Sequence, residues 1–172
     1  MLAKILLSLK QKPCPRCGRT GFLIRHGFLR GYADSGEAIC ERGQRFFCSN
    51  RYRRGGCGKT FCILFAEILP RMALRASTFW KYIDGVRRGL SRKAAWEQLR
   101  IGPSLQTGYR LWRRLERSQT ALRSLLAREG PPPAAETDQP IFQLLAHMET
   151  AFAQATCPIS AFQARFQHPF LS

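Results

Sequence analysis

Apolar residues change their spacing twice along the chain, and each change marks a change of structure. Up to about residue 66 they come in short aromatic runs, Arg45-Phe-Phe-Cys48 and Thr60-Phe-Cys-Ile-Leu-Phe65, between loops rich in Gly, Arg and Cys. Such runs predict short strands. From about 72 to 128 the spacing is helical. Phe79, Trp80, Ile83 and Val86 recur within Ser77 to Arg88, Gly89 is placed to end that helix, and Ser91 to cap the next. Ser91 to Leu99 forms a short helix, Arg100-Ile-Gly-Pro103 a turn, and a long helix starts at Ser104. Short helix, Gly-containing turn and longer helix is the layout of a helix-turn-helix. Ala94 and Ala95 are small enough to let the two helices approach, with Leu99 and Ile101 filling the angle between them. Gly130-Pro-Pro-Pro133 cannot continue a helix and makes a stiff linker.

Beyond the linker, Ile141, Leu144, Leu145, Met148 and Phe152 form an apolar stripe with few charges around it. The stripe must be covered, either by the same chain or by a second copy, so self-association through residues 141 to 172 is one expectation. The expected class is α+β: a strand-rich segment over 1–66, a helix-turn-helix domain over 72–128, a Pro-rich linker over 129–140 and a helical tail over 141–172.

Charge changes this picture from a fold to a partner. The chain of 172 residues carries a formal charge of +17, with 28 Lys and Arg against 11 Asp and Glu. Residues 1–130 hold 27 basic and 8 acidic residues, and 131–172 only 1 and 3. A compact chain so charged repels itself unless a polyanion screens it, which favours nucleic acid. The apolar start, Met1 to Leu9, is too short to span a bilayer, and is expected to pack on the domain of a cytoplasmic, nucleoid-associated protein that does not engage membranes. Arginine outnumbers lysine 22 to 6, and guanidinium makes bidentate contacts to guanine or phosphate that an ammonium cannot.

The cysteines supply the candidate chemistry. Cys14-Pro-Arg-Cys17-Gly18 and Cys48…Cys57-Gly58 both end in Cys-Gly, where glycine lets the backbone turn so that amides point at sulfur. Four thiolates, Cys14, Cys17, Cys48 and Cys57, would close one structural zinc site and substitute for the core that a short strand-rich segment lacks. Eight residues separate Cys48 from Cys57, where two to four are usual, so Cys40, Cys62 and His26 stay open as substitutes, Cys40 first. Cys62 is otherwise expected to be a small buried thiol.

At about 100° per residue, Leu105, Tyr109, Trp112, Leu115, Leu122 and Leu126 fall on one side of the long helix. Gln106, Arg110, Arg113, Arg114 and Arg117 fall opposite. In the usual docking, Gln106, Thr107 and Arg110 reach base edges in the major groove and the later arginines hold phosphates. Arg51, Arg53 and Arg54, in the wide loop between Cys48 and Cys57, are expected to add phosphate contacts.

These pieces together resemble the DNA-binding region of insertion-sequence transposases and their small accessory proteins, in which a Cys-Pro-x-Cys-Gly zinc ribbon precedes a helix-turn-helix. The matching stretches are Cys14 to Gly18, Arg45 to Cys48, Cys57 to Phe61, and Ser91 to Ala95 through Trp112, about two thirds of the chain. The resemblance implies sequence-specific binding of double-stranded DNA as a repressor, targeting or accessory protein of a mobile element, alone, as a homodimer or beside a transposase or recombinase. Such transposases cut strands with an acidic triad on a further domain. After the helical half this chain offers only Glu129, Glu136, Asp138 and Glu149, so no enzymatic activity is expected. RNA is the alternative partner, since a basic surface alone does not distinguish it from DNA.

Overall fold

The computed structural model describes residues 9–51, 55–72, 74–134 and 137–171. The class is α+β, with a three-stranded antiparallel sheet and five α-helices among the described residues, in two compact units: Met1–Gly31 with Cys40–Phe65, and Tyr32–Ile39 with Ala66–Ser172.

The first unit holds β1 (Leu23–Tyr32), β2 (Ile39–Cys48) and β3 (Thr60–Leu64) in that order, apart from the tip of the β1–β2 hairpin. β2 and β3 pair with Gln44 opposite Ile63, Arg45 opposite Cys62, Phe46 opposite Phe61 and Phe47 opposite Thr60. The two-residue period of a strand then sorts the faces. Gln44, Phe46 and Cys48 are buried, with Phe61 and Ile63 packed beside them, while Cys62 on the other face is exposed. Cys62 is therefore not the buried thiol expected, because Phe61 and Ile63 take the inward positions of β3. The core of this unit is Leu9, Cys14, Leu23, Phe46 and Cys48. So little apolar surface rarely holds a fold without a staple.

The second unit is built on α1 (Ala76–Arg87), α2 (Arg92–Glu97), α3 (Leu105–Leu126), α4 (Pro140–Ala151) and α5 (Pro158–Phe166). The expected punctuation is present: Gly89 takes a φ of +97°, and the Ser91 hydroxyl accepts from the Ala94 amide at 3.1 Å. α1 has no cap of its own at Arg75. The Asp34 carboxylate, from the hairpin tip, accepts the Arg75 amide at 2.9 Å and the Thr78 hydroxyl, and places a negative charge at the helix N-terminus.

Helix approach is set by glycines more than by the expected alanines. A Cβ on Gly108 would stand 2.7 Å from the Trp96 ring, so it is Gly108 that admits α2 onto α3. Ala95 faces α1 instead, 3.3 Å from where a Cβ on Gly85 would lie. In the α2–α3 turn the left-handed residue is Arg100, with φ +48°, and Gly102 is needed because a Cβ there would meet the Ser35 carbonyl at 2.9 Å.

The buried arc of α3 comprises Gly108, Leu111, Trp112, Leu115, Ser118, Leu122 and Leu126. It is wider than the projected stripe because α2 packs on one side and α4 on the other. Tyr109, placed on the apolar side by projection, is 38% exposed. The tail stripe is covered within the chain: Ile141, Leu144, Leu145 and Met148 share one core with α1 to α3, joined by Ile159, Phe162 and Phe170. It therefore gives no argument for self-association. Buried Gln163 closes this core, donating to the carbonyls of Ala66 and Ile68 and accepting the Phe170 amide. No described helix is long and apolar enough to cross a membrane.

Candidate metal centre and nucleic-acid surface

Cys14 and Cys17 lie ahead of β1, Cys48 ends β2, and Cys57 precedes β3. Their four sulfurs lie within 4.8 Å of one another. Two of the separations, Cys14 to Cys57 and Cys17 to Cys48, are 3.9 Å. A tetrahedron with zinc–sulfur bonds of about 2.3 Å has edges of about 3.8 Å, so the donor set fits a single tetrahedral ion such as zinc. Cys40, Cys62 and His26 do not join this group.

The wide Cys48–Cys57 spacing has a simple geometry. The Gly56 amide donates to the Ser49 carbonyl at 2.7 Å, which brings together the two residues that flank the ligands. The chain thus forms a short knuckle, Cys48-Ser49 joined to Gly56-Cys57. The Cys57 amide points at the Cys48 sulfur at 3.3 Å, and the Arg16 amide at the Cys14 sulfur at 3.4 Å. Gly18 and Gly58 take φ of +72° and +68°, the turn conformation that the two Cys-Gly pairs predicted.

Electrostatics makes the cluster a poor place for bare thiolates. Burial pushes the Cys48 thiol up to about 12, against the Cys57 amide that favours its thiolate, and the neighbouring thiols add to the rise. Burial also opposes ionisation of Cys14, but the amides of Arg16 and Cys17 and the thiols of Cys48 and Cys17 outweigh it and bring it to about 7. Adjacent buried sulfurs cannot all carry charge unless a cation sits among them. Metal binding would therefore displace protons and weaken as pH falls.

The second candidate surface is the outer side of α3. Gln106, Arg110, Arg113 and Arg117 are exposed, and Thr107 and Arg114 half-buried. At about 100° per residue these six span roughly 120° of the helix circumference. Among the described residues, none of the four arginines lies within ion-pair distance of a carboxylate; Arg117 Nε donates to the Arg113 carbonyl. Ion pairs do form elsewhere in this unit. Asp84 and Glu149 hold Arg87, Glu97 is beside Lys93, and Glu129 holds Arg165. Glu116 accepts the Trp112 indole at 2.7 Å and pairs with Arg92, whose guanidinium lies 4.6 Å over the Trp112 ring.

Arg51 is exposed between Ser49 and Gly56, and Arg53 and Arg54 lie outside the described residues. Sequence reasoning missed Gly56, for which Gly55-Gly56 ahead of Cys57 was the available signal, and Gly108, whose one signal was a glycine inside a helix.

Charge divides unequally between the units. The first carries thirteen Lys and Arg against one acidic residue, Glu41, a net of +12; the second carries fifteen against ten, a net of +5. Comparisons with protein families, curated proteins and solved structures gave no match.

Proposed function

We propose that this chain is a zinc-dependent, sequence-specific binder of double-stranded DNA with no chemistry of its own. The observation that carries the reading is the outer arc of α3, where Arg110, Arg113, Arg114 and Arg117 share one face with no carboxylate within ion-pair distance among the described residues. Leaving such a row unmatched costs self-repulsion, which a polyanion relieves. In this reading α2, its turn and α3 act as a helix-turn-helix. Gln106, Thr107 and Arg110 near the N-terminus of α3 read base edges, and Arg113, Arg114 and Arg117 hold phosphates.

The strand unit acts as a zinc ribbon. One Zn²⁺ on Cys14, Cys17, Cys48 and Cys57 staples a unit whose core is only five buried residues, and Arg51, Arg53 and Arg54 between Cys48 and Cys57 add phosphate contacts. The resemblance to transposase DNA-binding regions makes this a protein of a mobile element, working as repressor, targeting or accessory factor in the cytoplasm. The second reading, RNA, is favoured by the concentration of charge on the strand unit rather than on α3.

Matched DNA and RNA duplexes, titrated at several salt concentrations, test the reading. It expects tighter binding to DNA and a steep fall with salt. Equal binding to both, unaffected by Arg113→Ala and Arg114→Ala together, would overturn it.

A further inference from the structure

The face of the sheet turned away from its own core has a composition that the duplex reading does not use. β2 and β3 place Arg45 opposite Cys62 and Phe47 opposite Thr60 there, and His26 of β1 lies beside Phe47, with ring centroids 5.8 Å apart. His26, Thr60 and Cys62 are exposed, Phe47 and Arg45 half-exposed, and Ile24, one strand period from His26, is 37% exposed. Phe47, half-buried, keeps part of its ring open on an outer strand face beside a second ring and an arginine, and a flat partner can cover it.

The charge of the unit selects what that is. With thirteen basic residues against Glu41 alone, the unit stays strongly positive even after four thiolates and a divalent ion add two negative charges. The Phe47 ring, tilted 41° to that of His26, offers a stacking surface, half-exposed Arg45 beside it offers a contact for phosphate or a second base, and the surrounding field draws in a polyanion. Bases inside a duplex have no free face to give, whereas unpaired ones do.

We infer that this sheet face, centred on Phe47 and His26, is a second nucleic-acid site that takes unpaired nucleotides by stacking. The inference goes beyond the duplex reading and stands on the strand unit alone.

The test uses the full chain with zinc bound and fluorescent 15-mers of oligo(dT) and oligo(rU), with a duplex and polyglutamate for comparison. Phe47→Ala and His26→Ala should each weaken single-strand binding at least about fivefold, the loss expected for one stacked base, while duplex binding through α3 changes less than about twofold. The ratio of dT to rU affinity tells whether the strand is DNA or RNA. Should Phe47→Ala lose its zinc, Phe47→Trp replaces it as the probe. Its indole adds to those of Trp80, Trp96 and Trp112 in the other unit, and its emission should be quenched on adding oligonucleotide. Unchanged single-strand affinity in a zinc-replete Phe47→Ala, absence of quenching in Phe47→Trp, or equal binding of polyglutamate would each overturn the inference. The last result would mark the face as a site for acidic protein. Failure here leaves the duplex reading intact, and loss of duplex binding in α3 variants leaves this site intact.

Discussion

Gly56 shows how one missing methyl group can govern a metal site. A Cβ there would stand 2.4 Å from the Cys48 sulfur and 2.5 Å from the Ser49 carbonyl, so the knuckle can close only on glycine. Gly56→Ala is predicted to lower zinc affinity by at least about tenfold, comparable to the loss of a ligand-orienting contact. Competition against a chromophoric chelator measures it, and wild-type affinity would mean that the Ser49–Gly56 closure is dispensable. Tyr82 is the opposite case. Its hydroxyl is buried without a hydrogen-bond partner among the described residues, its pKa pushed up to about 12 by burial, with Arg92 opposing and Tyr109 adding. Its ring packs edge-on against Trp96 and Trp112, at centroid distances of 5.1 and 6.1 Å. Removing an unsatisfied hydroxyl recovers its desolvation cost, so Tyr82→Phe is predicted to leave stability unchanged or raise it by about 1 kcal/mol in denaturant unfolding. A clear loss would reveal a partner for that hydroxyl. The cysteines were legible because their chemistry is local and their spacing conspicuous. Neither Gly56 nor Tyr82 could be read that way, since each depends on atoms brought close by the fold.

The segment between Ser49 and Gly56 can be altered separately from α3. Since Ser49 and Gly56 already meet, deleting residues 50–55 should leave a protein that still binds one zinc, now with the short ligand spacing of ordinary knuckles. Metal analysis of the purified variant checks this, and loss of zinc would show that the loop helps build the site. The same deletion removes Arg51, Arg53 and Arg54 and should weaken binding to all DNA sequences alike. On α3, Arg117→Ala should lower the slope of log affinity against log salt by roughly one unit, as for one phosphate contact. The periodicity of α3 was readable because a 22-residue helix repeats its signal over several turns. Its buried width was not, since that depends on which helices pack on it. The cap of α1 was likewise hidden: its carboxylate, Asp34, stands 41 residues before Arg75.

At the scale of the molecule, the tail is part of the helical core. Leu144, Leu145, Met148, Phe162 and Phe170 are all at most 1% exposed, and large-to-small changes at such sites cost about 2–5 kcal/mol each. A chain ending at Glu129 should therefore lose cooperative unfolding of the helical unit and expose apolar surface. A sharp unfolding transition in that fragment would contradict the shared core. The apolar stripe of the tail was visible in the sequence, but the surface that covers it was not, because a stripe alone does not say whether its partner is the same chain or a second copy. The central claim, that the unmatched arginine face of α3 reads duplex DNA, is tested most directly by selecting bound duplexes from a random pool with the wild type and with Arg110→Ala. The account predicts that the wild type enriches a defined sequence, and that Arg110→Ala relaxes or changes the preference at one position while the rest of the site persists. Failure of the wild type to enrich any sequence, or an identical preference in both proteins, would contradict it.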